Sequence, residues 1–146
     1  MRVLVSAVVA VLVLPVAGCT TTTTTVCVDS IGPLSTAEAG EQAAIVVVGT
    51  VTGSAGERSI YQESSPVHGF SVEAVVKGEL DATEIEVAAV PITCNGPAGP
   101  FPDGDPLDTD DRVELFLVDD DGQYRLLTPW DGVVAAPEGE PLPWEG

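Results

Sequence analysis

The sequence predicts an all-β domain, a small five-stranded barrel preceded by one short helix. Three observations predict it. Short runs of β-branched and aliphatic residues recur along the chain, several of them alternating apolar with polar. Clusters of Gly, Pro and Asp separate these runs. Five such strands in an open sheet would leave bare edges and an uncovered apolar face, whereas curling into a barrel buries the alternating faces and removes the edges.

The elements follow in chain order. Met1-Arg2 is a minimal positive start, and Val3 to Leu14 is apolar except for Ser6. About twelve residues make only ~18 Å of helix, too short for a bilayer core of ~30 Å, so the run reads as a signal segment rather than a permanent span. It ends at Val16-Ala17-Gly18-Cys19. This tetrad resembles the lipobox of bacterial lipoproteins: an aliphatic residue, two small ones that let the chain lie extended in a peptidase, and a Cys whose thiol takes diacylglycerol. The resemblance implies cleavage before Cys19, lipid on its sulfur, and a further fatty-acyl (palmitate-type) chain on its new amine. Two or three chains anchor stably where one binds only reversibly. Residues 1–18 are thus the expected signal peptide. Residues 19–34 are the lipidated Cys and a tether rich in Thr20 to Thr25, residues 35–134 the barrel, and residues 135–146 a Pro-rich tail expected to be poorly ordered. The expected location is the extracytoplasmic face of a cell membrane.

With Cys19 given to lipid, Cys27 and Cys94 remain as an even pair in an oxidising compartment, and a disulfide between them is expected. Two free thiols or a metal pair are the alternatives, the latter lacking a His or third Cys at ligand spacing. For a loop of this length, about 66 residues, the chain-entropy model gives ~4 kcal/mol of stabilisation, which matters to a barrel of roughly 100 residues.

Ser35-Thr36-Ala37-Glu38 has capping-box spacing and leads Ala37 to Ala43 into one or two helical turns, weakened by Gly40. Ala44 to Thr52 is the first strand, with Gly49 marking a bulge or bend. Gly53 to Pro66 reads as a flexible loop or irregular hairpin arm. Phe70 to Lys77 alternates, placing Phe70, Val72, Ala74 and Val76 on one face, and Thr83 to Val87 sets Ile85 and Val87 against Glu84 and Glu86. Asn95 to Asp111, with four prolines and five aspartates, reads as a long surface loop. Arg112 to Val118 and Tyr124 to Leu127 flank Asp119-Asp120-Asp121-Gly122, the strongest hairpin turn in the chain, and Gly132-Val133-Val134 offers a last short strand.

Two of these segments carry a second resemblance. Gln42 to Val51, QAAIVVVGTV, is similar to the ADAVFVGTV opening of the netrin-like and tissue-inhibitor-of-metalloproteinase OB barrels, and Phe70 to Gly78, FSVEAVVKG, to their second strand. Cys94 after the third strand and Leu115-Phe116-Leu117 in the fourth also fit. The resemblance spans about residues 35–134 and implies a five-stranded OB-type barrel. It does not imply protease inhibition: those inhibitors chelate zinc through a free amino-terminal Cys, whereas Cys27 is internal.

Function is less legible. The chain carries 23 acidic and five basic residues; removing the signal, with Arg2, leaves four basic residues and a formal charge of −19. Such a surface repels phosphate backbones, which excludes nucleic acid as a partner, and membrane attachment must come from the lipid. No catalytic constellation stands out. His68, the only histidine, lacks a nucleophile at useful spacing and reads as a solvated residue entering the second strand. Asp103-Gly104-Asp105 with Glu114 superficially matches a calcium loop, but Leu107 and Asp108 stand where an oxygen ligand and a glycine are required. Asp119 to Asp121 read as turn residues, Trp130 and Trp144 as contact area for a partner, and Trp130 alternatively as packing over a barrel end. The expectation is a non-catalytic, cofactor-free envelope module that binds a protein or glycan. An envelope assembly subunit and a weak divalent-cation binder are the alternatives.

Overall fold

The computed structural model describes residues 27–30 and 32–146. The signal segment, the lipobox from Val16 to Cys19 and the threonine run lie outside the described residues. Helix α1 (Thr36–Gln42) starts where the capping box places it. The Glu38 amide donates to Ser35 Oγ at 3.3 Å, and the Ser35 amide donates back to Glu38 Oε2 at 2.9 Å. Six strands follow: β1 (Ile45–Ile60), β2 (Glu63–Lys77), β3 (Glu84–Ala88), β4 (Arg112–Asp120), β5 (Gln123–Leu126) and β6 (Val133–Ala135).

Five of them close a ring. β1 pairs with β2, β2 with β3, β3 with β5, β5 with β4, and β4 returns to β1. All these pairs are antiparallel except β3–β5, where Val87 faces Tyr124 and Ala88 faces Arg125 in parallel. β6 pairs with β4 at Val113 to Leu115, on the edge opposite β1 and ahead of β5. The fold is therefore the expected small all-β, OB-like barrel with a short amino-terminal helix.

The run Ile45-Val46-Val47-Val48 does not alternate because both of its faces are covered. Ile45 and Val47 join Phe70, Ile85, Val87, Val113, Leu115, Leu117 and Leu126 in the barrel interior. Val46 points outward beneath α1, where Ala39, Ala43 and Phe116 form a second apolar cluster with Trp144 on its flank. Gly49 is required by a close approach: a Cβ there would overlap the Ser71 carbonyl of β2.

Of the two readings of Gly53 to Pro66, the irregular hairpin arm holds, because β1 runs on to Ile60 and pairs with β2 through to Ile60↔Glu63; four other expectations are corrected. Register shifts between Val51 and Gly53 and between Ser54 and Gly56 bend this extension, with Gly53 at φ 134° and Gly56 at φ 117°. Further shifts around Glu73 and Val76 break the alternation expected of β2. Phe70 stays inside, Ala74 is exposed, and Val76 packs against the outer cluster.

The segment from Asn95 to Asp111 is more than a surface loop. Its Leu107 is 0% exposed and fills the barrel interior. His68 is correspondingly not solvated: only 12% of its side chain is exposed, and its Nε2 lies 2.6 Å from Asp105 Oδ2. Finally, the tail is packed. The Trp144 amide donates to Glu114 Oε2 at 3.0 Å, and its indole lies against Gly40 of α1, where a Cβ would overlap the ring.

Cys27 and Cys94 form the expected disulfide, with their Cα atoms 5.4 Å apart. Beside it, the Val28 amide donates to Thr93 Oγ1 at 2.8 Å and the Thr93 hydroxyl donates to the Val28 carbonyl at 3.1 Å. The amino-terminal segment is thus stitched to the chain that follows β3.

Candidate functional site

The site begins with two tight turns. The β1–β2 turn, Tyr61-Gln62, has both residues at positive φ, 52° and 69°, a twist suited to a two-residue hairpin. The β4–β5 turn, Asp121-Gly122, is alike at 55° and 84°, and Asp119 Oδ1 accepts the Gly122 amide at 2.6 Å. The bulged extension of β1 bends its tip toward β5, where Arg58 Nη1 donates to the Tyr124 carbonyl at 3.2 Å. Between the turns lies a cleft of about 250 Å³ lined by Arg58, Ser59, Ile60, Tyr61, Asp120, Gln123 and Arg125. It shares Tyr61 and Arg125 with a second hollow of about 210 Å³, walled in part by Val28, Asp29 and Ser30.

The charges in the cleft are its distinguishing feature. Four basic side chains lie among the described residues, and two of them, Arg58 and Arg125, are here. Arg125 donates from Nε to Asp120 Oδ2 at 2.7 Å and sits 6.0 Å over the Tyr61 ring, within cation–π range. The other two are occupied elsewhere. Lys77 donates to the Gly40 and Glu41 carbonyls at the end of α1, and Arg112 pairs with Glu73 at 2.6 Å. Among the described residues Arg58 forms no ion pair. Its fork is held by one neutral carbonyl, leaving donors for something else.

No protein-family model and no curated relative matches this chain. The cleft's chemistry therefore has to be read from the residues themselves.

Other sequence-level candidates do not assemble into a site. Val16, Ala17, Gly18 and Cys19 lie outside the described residues, and Cys27 and Cys94 are joined to each other. Asp103 and Asp105 are separated from Glu114, whose carboxylate is buried under the tail; among the described residues no three metal-ligating side chains converge. Asp105 serves the loop instead, its Oδ1 accepting the Leu107 amide at 2.9 Å while its Oδ2 faces His68. His68 points into the barrel beside Val87 and Phe70, whereas Ser65, the buried hydroxyl on the same strand, alternates onto the other face with Val67. The pair is thus a clamp that seats Leu107. Trp130 is 42% exposed and borders a small apolar notch with Phe101 and Ile92.

Sequence reasoning did not single out Arg58, Tyr61 or Arg125. Their convergence depends on the bulged hairpin. The available signal was the scarcity of cations in so acidic a chain.

Proposed function

We propose that this protein is a lipid-anchored, extracytoplasmic binding module whose ligand seat is the cleft between the β1–β2 and β4–β5 turns. The observation that carries the reading is Arg58 and Arg125 flanking Tyr61 at that position. Half of the basic side chains among the described residues converge where OB-type barrels use their strand faces and turns for ligands. The acidity of the rest of the surface supports a discrete contact there and argues against nucleic acid. The anchor rests on Val16-Ala17-Gly18-Cys19 after an apolar run. If Cys19 carries lipid, the seven residues before Cys27 span at most ~25 Å. Because Val28 to Ser30 wall the hollow that adjoins the cleft, the tether would then hold the seat close to the membrane.

The test is photocrosslinking in cells from Gln123, inside the cleft, and from Val75, exposed on β2 outside it, in the full-length protein. The reading expects one dominant adduct from Gln123, absent from Val75, and diminished in a Cys19→Ser variant that is no longer processed or retained at the membrane. Equal adducts from both positions, or none from Gln123, would contradict the binding seat. Normal processing and retention of Cys19→Ser would contradict the anchor.

A further inference from the structure

We propose that the cleft recognises a saccharide bearing a single carboxylate, with the acid group in the Arg58 fork and a sugar ring beside Tyr61. The inference rests on the binding reading above and names its ligand class.

The argument starts from what Arg58 lacks. A half-buried guanidinium presents five N–H donors in a planar fork that matches a carboxylate in two parallel hydrogen bonds. In this protein one nitrogen is used, on the Tyr124 carbonyl, and among the described residues no acidic side chain pairs with the group. That is unusual company for an arginine in a chain with 23 acidic residues. Arg125, next in sequence to the Tyr124 whose carbonyl Arg58 holds, is already neutralised by Asp120 and lies over Tyr61. The cleft therefore offers one vacant carboxylate partner, not two.

The surroundings set an upper limit on the ligand's charge. Glu57, Glu63, Asp119, Asp120 and Asp121 all lie on the same strand ends and turns, within two residues of cleft-lining positions. A polyanion would carry several charges into that acidic field, whereas a lone carboxylate on a neutral scaffold carries one and sets it against the fork. The remaining lining suits hydroxyl-rich chemistry. Asp120 and Gln123 supply planar acceptors and donors, Ser59 a hydroxyl, and Tyr61 an aromatic body of low conformational entropy. A peptide carboxylate would use the fork equally well, but its side chain would call for apolar lining at the fork, and Ile60 is the only aliphatic residue lining this cleft; Val28, Val90, Val118 and Leu127 line the adjoining hollow instead.

The experiment is isothermal titration of the full-length lipoprotein in detergent with four probes. These are a glucuronosyl disaccharide with one free acid, its neutral methyl ester, trigalacturonate, and an N-acetylated dipeptide acid. The expected order places the monoacid first, the methyl ester weaker by roughly tenfold or more, and trigalacturonate no better than the ester; a charge-assisted pair makes a difference of that size. Arg58→Gln should abolish the preference for acid over ester, and Arg58→Lys should restore only part of the preference. A circular dichroism spectrum and a urea midpoint equal to those of the unaltered protein show that Arg58→Gln is folded. The proposal is overturned if acid and ester bind equally, if the preference survives Arg58→Gln, if trigalacturonate binds best, or if only the dipeptide binds. It is also overturned if no probe binds up to about 10 mM. Loss of the carboxylate claim is distinguishable from loss of the binding seat, because the Gln123 crosslink tests the seat without reference to ligand charge.

Discussion

At the scale of single residues, the most consequential side chain is Glu114. It is 0% exposed on β4, its Oε2 accepts the Trp144 amide, and its Oε1 has no partner among the described residues. Burial pushes its pKa up, opposed by the Trp144 hydrogen bond and assisted by the nearby Glu145 charge. A carboxyl whose folded pKa exceeds its unfolded value binds its proton more tightly in the folded state, so its contribution to stability is full at low pH and declines as pH rises through the folded value. Glu38 is the opposite case. The Ser35 amide holds its carboxyl below the usual range, so what it contributes is present above the ordinary carboxylate range and lost on acidification. Glu114→Gln should therefore stabilise the protein at neutral pH by about 1–2 kcal/mol, the order expected on removing one buried charge with an unmet acceptor. The gain should shrink toward pH 4, as denaturant midpoints across that range would show. The Ser35–Glu38 box was legible in sequence because its partners stand three residues apart. The environments of Glu114 and His68 were not, since their partners lie 30 and 37 residues away.

At the scale of elements, the helix and the tail form one unit on the outside of the barrel. Gly40, which weakens the helix as a local sequence, is the position where the Trp144 indole lies flat against α1. Lys77 completes the arrangement, donating to the Gly40 carbonyl at 2.9 Å and lying 5.8 Å from the Trp144 ring centre. Gly40→Ala should raise helix propensity by ~1 kcal/mol yet destabilise the protein by about 1–3 kcal/mol through overpacking. In a Trp144→Ala background the same change should be neutral or stabilising. Urea unfolding of the four variants measures the coupling, and additive effects would show that the tail does not pack there. The tail's composition, prolines and acids around one Trp, gave no periodicity from which this contact could be read. The β1–β2 hairpin was legible only as one of two readings, for a related reason. Its bulges at Gly53 and Gly56 interrupt alternation just where the strands continue, so two ordered arms resembled a polar loop.

At the scale of the whole molecule, the barrel was readable and the site was not. Alternation in Ile85 and Val87, in Val113, Leu115 and Leu117, and the Asp-Gly turn all survive as interior faces and a hairpin, because each depends on neighbours close in sequence. The even cysteine pair likewise joined as expected. Ring closure through β1–β4 and the parallel β3–β5 contact bring together residues from opposite ends of the domain, and with them Arg58, Tyr61 and Arg125. A site made by closure leaves no local motif. The surface around it is so acidic that an unpaired arginine is more informative here than in a chain of balanced charge.

The central claim, that the cleft between the two turns is the ligand seat, is tested most directly by amide hydrogen exchange of the full-length protein. Exchange would be followed with and without the species captured by the Gln123 crosslink. Slowed exchange confined to residues 58–63 and 119–125, with 36–42 and 137–146 unchanged, is the predicted result. Protection of the helix and tail while the two turns exchange as before would contradict it.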